Sequence, residues 1–278
     1  MVPVRQSNAT LNAVSAALHV VGLGPGSAAL LPSLTRRAIM SSAVVVGYSR
    51  YLDLLPEALL EGKKLVRSGM RNEIARCNAA MDAVLSGENT ALVSSGDPGI
   101  YALAGLVYEL AGKRKLSPAD LSVLVFPGIP ALCAAAALLG APLAHDFAVI
   151  SLSDLLTDWG TIEKRITHAL AADFTLVIYN PRSPERDWQL NKLLELSIAA
   201  RGEKGYIGLV RNAYREKEQV AILTLGGFNP ALADMLSILI VGNSETRVWG
   251  GESGQTGQDW LKGARMYAPR GYFKKYPG

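Results

Sequence analysis

Cysteine and histidine are scarce in this chain, and several kinds of site are excluded with them. Cys77 and Cys133 are the only cysteines in 278 residues and form no C-x-x-C pair. Neither a disulfide framework nor a cysteine zinc centre is therefore expected. The three histidines, His19, His145 and His168, share no metal-ligand spacing, and no metal is expected. There is no H-E-x-x-H, no G-x-S-x-G and no close carboxylate pair set in a motif, which removes the commonest hydrolase arrangements. No apolar run reaches the roughly 18 residues of a membrane span. A dominant charge is lacking too: 28 Lys+Arg against 24 Asp+Glu leave +4, scattered along the chain. That balance suits an acidic small ligand and does not point to nucleic acid. The one basic cluster is the tail, with Arg265, Arg270, Lys274 and Lys275.

What is present is a core-forming chain, 49% hydrophobic, long enough for one large or two modest domains. Residues 1–18 read as an extension: Asn8, Thr10, Asn12 and Ser15 interrupt its apolar positions, so it is no signal peptide, and a reducing cytoplasm is the expected location. From His19 onward, short apolar runs alternate with helical patterns. Strands are expected at His19–Gly22, Val44–Val46, Ala91–Ser94 and Val123–Phe126. Helices are expected after Gly26 with Pro32 in the first turn, at Asn72–Ser86 ended by Gly87, and at Ile100–Ala111 ended by Gly112. Cys77 falls on a stripe with Ile74, Met81, Val84 and Leu85 and reads as core. This β-turn-α repetition predicts an α/β fold with a parallel sheet covered on both faces.

The second half repeats the pattern less closely. Pro127-Gly128-Ile129-Pro130 opens an alanine-rich helix, and a domain change is placed near Pro127. Strands are expected at Phe147–Leu152, Thr175–Tyr179, Ile207–Arg211, Val220–Leu223 and Ile238–Val241. The short gap between the third and fourth predicts antiparallel pairing. The expected organisation is an N-terminal α/β domain over 19–126, a C-terminal one over 127–248, and a glycine-rich arm with a basic aromatic tail over 249–278.

Candidate sites lie at strand ends. Gly22-Leu23-Gly24-Pro25-Gly26 is a turn that lets main chain approach a ligand. It lacks the third glycine and the later carboxylate of a dinucleotide site, and no Gly-Lys-Ser/Thr follows. A plain β-to-α turn is the alternative. Ser94–Tyr101 (SSGDPGIY) also follows a strand; Asp97 there reads as a helix cap with Pro98 at the first helical position, as a ligand contact, or as both. Phe126–Ala131 and Tyr179–Ser183 repeat the arrangement, and several such ends imply one crevice. His145-Asp146 reads either as an acid/base pair or as a structural hydrogen bond. With no nucleophile-and-base set evident, the pattern fits a reaction that depends above all on positioning.

GLGPG, SSGDPGIY and PGIPA, in that order, resemble the tetrapyrrole methylase family over about Val20–Val248. HDFAVISLSDLL, YNPRS, VRNAYREKE and MYAPRGY (His145–Leu156, Tyr179–Ser183, Val210–Glu218, Met266–Tyr272) resemble the branch that methylates C-17 of a precorrin-3B-type macrocycle with ring contraction, on metal-free or cobalt-bearing substrates. Ala268 stands where that branch leads one to expect threonine. The resemblance implies two α/β domains, a homodimer, and S-adenosylmethionine folded in an interdomain cleft. It implies cofactor contacts at Pro25, Ser95, Gly96, Asp97, Ile100, Pro130, Ala131, Asn180 (a methionine in many relatives) and Ala213. Arg182, Arg211, Arg215 and Arg270 are candidates to pair with the macrocycle's acid arms. Tyr101, His145 and Ser153 are candidates for proton movement. The competing readings are methylation of another tetrapyrrole carbon on the same fold, a nicotinamide-dependent oxidoreductase, and a non-catalytic binding module. The tail is expected to serve the macrocycle, or to strap onto a partner subunit.

Overall fold

The computed structural model describes residues 16–250 and 263–276. The expected extension over 1–18 lies mostly outside that range, as does most of the glycine-rich arm. The chain divides into two compact units, Met1–Ile129 and Pro130–Gly278.

The first unit is built on five strands, β1 (Ala17–Gly22), β2 (Val44–Tyr48), β3 (Lys64–Ser68), β4 (Thr90–Ser94) and β5 (Ser122–Phe126). All pair in parallel in the order β3-β2-β4-β1-β5. Strands β1, β2 and β4 are almost wholly buried and mostly apolar because both faces are covered. Leu18, Val20, Val44, Val46 and Leu92 pack on α3 (Glu73–Leu85) and α4 (Leu103–Lys113). The alternate residues Val21, Val45, Ala91 and Val93 pack on α1 (Ser33–Met40) and α2 (Ser49–Leu52). The two-residue side-chain period of a strand thus divides one run between two cores.

Three helices differ in detail from the sequence reading. On α3, Cys77, Ala80, Met81 and Val84 are buried, whereas Ile74 and Leu85, at its two ends, are 60% and 43% exposed. Helix α4 starts at Leu103, because Tyr101 sits at φ +49° and breaks the helical path. It then runs through Gly112, and the left-handed residue that follows it is Lys115. Pro32 is the N-cap of α1, one position ahead of the first turn.

His19 in β1 is 1% exposed. Its Nδ1 lies 3.3 Å from the Ala38 carbonyl and 3.2 Å from Ser42 Oγ, and its Nε2 has no partner. Burial holds its pKa below 6.5 despite the Ala38 hydrogen bond. The unfolded chain therefore binds the proton first as pH falls, and stability drops from about pH 6.5 downward. In urea unfolding at pH 7.5 and 5.5, the wild type should lose more stability between the two than His19→Gln. Equal losses would show that His19 does not carry this dependence.

The second unit's main sheet has β7 (Phe147–Ser151), β8 (Thr175–Tyr179), β9 (Tyr206–Arg211), β10 (Gln219–Thr224) and β11 (Ser237–Val241), with β6 (Gly140–Ala141) outside it. The order is β10-β9-β11-β8-β7. Only β7 and β8 are parallel; the other pairs are antiparallel, including β9 with β10 as the short gap predicted. On one face lie α6 (Trp159–Ala171) and α7 (Trp188–Arg201), with Ile162, Ile166, Leu190 and Leu193 against Leu176, Ile178 and Leu239. Helix α5 (Ala131–Leu139) packs on β9, β10 and β11. There Gly208 leaves room for Leu139, since a Cβ would sit 2.5 Å from Leu139 Cδ1. A second sheet, β12-β13-β6, joins β12 (Arg247–Trp249) and β13 (Arg265–Tyr267) to β6. The tail is thereby part of this unit: Met266 is fully buried and Ala268 N–H donates to the Ala141 carbonyl at 3.2 Å.

Candidate functional site

In the first unit, three neighbouring strands, β4, β1 and β5, end side by side in glycine-bearing loops. Parallel strands put all their carboxyl ends on one edge, where open α/β sheets bind ligands. The loops are fastened main chain to main chain. Gly24 and Gly96 exchange hydrogen bonds of 3.1 and 2.8 Å, and Leu23 N–H donates to the Ser94 carbonyl at 2.9 Å. Thr35 Oγ1, from α1, donates to the Gly22 carbonyl at 3.0 Å. A Cβ placed on Gly128 would lie 2.0 Å from the Gly96 carbonyl oxygen, and one on Gly22 would lie 2.6 Å from Gly128 N. Gly24 also needs its glycine for φ +73°.

Asp97 ties this cluster together. One carboxylate oxygen accepts from Gly99 N–H at 2.8 Å, the other from Gly128 N–H at 3.1 Å. The helix-cap reading is therefore corrected: the next helix begins at Leu103 with Ala102 as its N-cap, and Asp97 holds a turn and the β5 loop instead. Pro25 is buried, Ser95, Asp97 and Ile100 are half-buried, and Tyr101 is exposed. Asp97→Ala should cost about 1–3 kcal/mol in urea unfolding, because Gly128 N–H loses a charged acceptor. A variant as stable as the wild type would show that the clasp contributes nothing.

In the second unit, β7 and β8 run in parallel, and β11 is antiparallel to both β8 and β9. The carboxyl ends of β7, β8 and β9 therefore share one edge. Arg211 ends β9, and Ser153, Asn180, Arg182, Ala213 and Arg215 follow these strand ends, so the fold brings all six to that edge. Asn180 has φ +50°, a region asparagine tolerates better than most residues. Its Nδ2 donates to Ser151 Oγ at 2.9 Å, and Ser151 Oγ also accepts from Ser153 N–H at 3.2 Å. Ala213 lies between two left-handed residues, Asn212 and Tyr214, at φ +52° and +56°. Arg211 is half-buried, and its Nε donates to Asp234 at 2.7 Å. Tyr179 Oη accepts from Leu132 N–H at 3.0 Å, so the first turn of α5, with Pro130 and Ala131, is tied to the end of β8.

His145 lies elsewhere. It precedes β7, whose five residues, about 17 Å at ~3.3 Å each, separate it from Ser153. Its Nδ1 accepts from Asp146 N–H at 2.8 Å, a structural hydrogen bond. His145 and Asp146 line a pocket of about 350 Å³ with Leu143, Ala144 and Arg270. The fold thus joins His145 to the tail arginine and not to Ser153. Among the described residues, no group of three or more His, Cys, Asp or Glu could hold a metal, and no helix is long and apolar enough to cross a membrane.

Two features escaped the sequence reading. Gly128 was visible only as part of a proline-glycine turn, although its contacts close the loop cluster. Arg186, buried beside Asn180, has no motif of its own; its one signal was a lone arginine shortly after YNPRS.

The profile of the Tetrapyrrole (Corrin/Porphyrin) Methylases matches residues 17–229, and the chain belongs to this family of methyltransferases. It is 45% identical to the probable cobalt-factor III C(17)-methyltransferase of Salmonella typhimurium, over 92% of this chain and 99% of that one. It is 37% identical to the precorrin-3B C(17)-methyltransferase of a Sinorhizobium species, over 83% and 90% of the two chains. The crystal structure of the methyltransferase CobJ superimposes with a TM-score of 0.81 at 33% identity, covering 92% of this chain and all of that one.

Proposed function

We propose that the chain methylates C-17 of a precorrin-3B-type macrocycle with S-adenosylmethionine, with ring contraction, in cobalamin biosynthesis. The observation that carries the reading is the loop cluster of Gly22, Gly24, Gly96 and Gly128 clasped by Asp97. Its glycines let the loops after β1, β4 and β5 pack main chain on main chain at the carboxyl edge of the sheet, where open α/β sheets bind ligands, which fits a cofactor gripped largely by backbone groups. S-adenosylmethionine, when bound, supplies a methyl group on a positively charged sulfonium. Pro25, Ser95, Gly96, Asp97 and Ile100 from the first unit, and Pro130, Ala131, Asn180 and Ala213 from the second, are its proposed contacts. Asp97 brings negative charge suited to the cofactor's amino group. Arg182, Arg211 and Arg215, at the strand-end edge of the second unit, offer guanidinium groups to the macrocycle's carboxylates, and Arg270, beside His145 at the other end of β7, is proposed to meet a more distant acid arm. Alignment and water exclusion are the protein's main contribution, and Tyr101 and Ser153 are the proposed groups for proton movement.

Thermal unfolding with S-adenosylmethionine and with NAD tests the cofactor class. At 100 times its dissociation constant, the true ligand stabilises by about 2.7 kcal/mol; stabilisation by NAD alone would overturn the reading. Incubation with metal-free and cobalt-bearing precursors and an isotope-labelled methyl donor tests the substrate. The label should appear on C-17, and label on another ring carbon would move the chain to a different branch of the family. The working unit is proposed to be a homodimer. Light scattering at micromolar concentration should give twice the chain mass, and the mass of one chain across concentrations would refute it.

A further inference from the structure

Arg186 is the most deeply placed arginine at the strand-end edge of the second unit, only 9% exposed. It sits one tight turn beyond Asn180: Ser183 and Arg186 exchange main-chain hydrogen bonds of 2.9 and 3.1 Å, which turns the chain back on itself. The returned guanidinium then reaches three segments. Nη2 donates to the Asn180 carbonyl at 2.6 Å, Nη1 donates to the Leu152 carbonyl at 3.1 Å, and Met235 Sδ lies 3.7 Å from Nη2. The ends of β7 and β8 and the approach to β11 are thus held by one side chain. Asp154, on the β7 loop, offsets part of its charge and is itself held by Gln189 Nε2 at 2.7 Å.

A buried arginine aimed at main-chain carbonyls is a costly device for packing alone, since apolar side chains fill such space without desolvating a charge. What this one holds is specific. Asn180 carries a left-handed backbone, and residues in that region persist where their surroundings over-determine them. Its carbonyl is gripped by Arg186 while its side chain is gripped by Ser151. Both ends of the residue are fixed by groups other than a ligand.

We propose that Arg186 is a positioning residue for the methyl-donor site, holding the Asn180 backbone in the conformation that binds the cofactor. This rests on the reading of Asn180 as a cofactor contact. Arginine's planar fork serves two carbonyls at once, which the single ammonium of lysine does not reproduce.

Isothermal titration with S-adenosylhomocysteine, the demethylated product, tests it on the full chain. The wild type, Arg186→Lys, Arg186→Gln, Asn180→Ala and the Arg186→Lys/Asn180→Ala double variant are compared, with urea unfolding of each free protein. Arg186→Lys and Asn180→Ala should each weaken binding roughly tenfold or more, the scale of a lost charged hydrogen bond. The double variant should bind no worse than the weaker single one, because both changes remove one arrangement. Wild-type affinity in folded Arg186→Lys and Arg186→Gln would overturn the proposal, as would fold-changes that simply multiply in the double variant. Failure of both Arg186 variants to fold would make the residue part of the fold and refute the specific role. A wild type that does not bind S-adenosylhomocysteine would instead overturn the cofactor reading itself, and Asn180→Ala binding like the wild type would remove Asn180 from the site.

Discussion

Gly128→Ala is expected to abolish binding of S-adenosylhomocysteine and to cost the fold about 3 kcal/mol or more, the upper range for forcing an extra carbon into a packed site. The added methyl would lie 2.0 Å from the Gly96 carbonyl oxygen and 2.8 Å from the Gly22 carbonyl carbon. Both neighbours are main chain, so no side-chain rotation relieves the overlap and the loops after β1, β4 and β5 must part. Parting them also strains the 3.1 Å bond from Gly128 N–H to Asp97. Gly105→Ala is the matched control. It lies on the exposed side of α4, with nothing within 4 Å of an added Cβ, and should stabilise by roughly 0.5–1 kcal/mol through lower unfolded-chain entropy. Urea unfolding and calorimetric titration of both variants decide the matter. A Gly128→Ala protein that folds and binds like the wild type would show that the loop cluster is not the cofactor's cradle.

The first unit was legible because its central strands, β1, β2 and β4, are buried on both faces. Val44-Val45-Val46 has no polar interruption and reads directly as an interior parallel strand. β3 was missed for the opposite reason. Lys64-Leu65-Val66-Arg67-Ser68 is an edge strand with charges on it, a pattern that protects an edge and hides it from an apolar search. In the second unit α6 and α7 went unassigned, although Asp158 caps α6 through Thr161 N–H at 2.9 Å and Ile162, Ile166, Ala169 and Leu170 have helical spacing. Those signals are local and were available. The short pairing of β13 with β6 was not, because two residues of strand joined across more than a hundred positions leave no periodicity.

At the candidate site, residue types were readable and roles were not. Asp97 followed by Pro98 has the composition of a helix start, and only the left-handed Tyr101 shows that the helix begins later. The carboxylate's second partner, Gly128, is 31 positions away, a distance no local pattern spans. His145 and Ser153 lie close in sequence, yet an extended strand separates them by its whole length. Arg186 is the converse: three segments meet at one side chain because β7, β8 and β11 are neighbours in the sheet.

Stopping the chain after Gly250 is expected to destabilise the second unit, whereas stopping it after Ala268 is expected to spare the fold and impair only turnover of the macrocycle. The first truncation removes β13, the central strand of the small sheet, and strips β6 and β12 of their partner. Met266 is fully buried, and loss of a buried methionine side chain alone costs about 2–5 kcal/mol. Gly140 shows how tightly the strand is seated, since a Cβ there would lie 2.7 Å from the Met266 carbonyl oxygen. A tail that served only the macrocycle, or only strapped onto a partner, would leave the fold intact when removed; the pairing of β13 with β12 and β6 makes residues 265–267 part of the second unit's fold instead. The second truncation keeps Met266 and the Ala268–Ala141 bond and removes Arg270, Tyr272 and Tyr276. Arg270 lines the pocket beside His145 and Asp146, and Tyr272 and Tyr276 are 65% and 63% exposed. A guanidinium and exposed aromatic faces suit a flat ring bearing carboxylates. Loss of one charged hydrogen bond to such a substrate corresponds to roughly tenfold or more in turnover efficiency. Titration with S-adenosylhomocysteine should give the same affinity for the Ala268 stop as for the full chain. If the Gly250 stop proves as stable as the full chain, β13 does not anchor the unit; if the Ala268 stop turns over at the full rate, the tail beyond it has no part in holding the macrocycle.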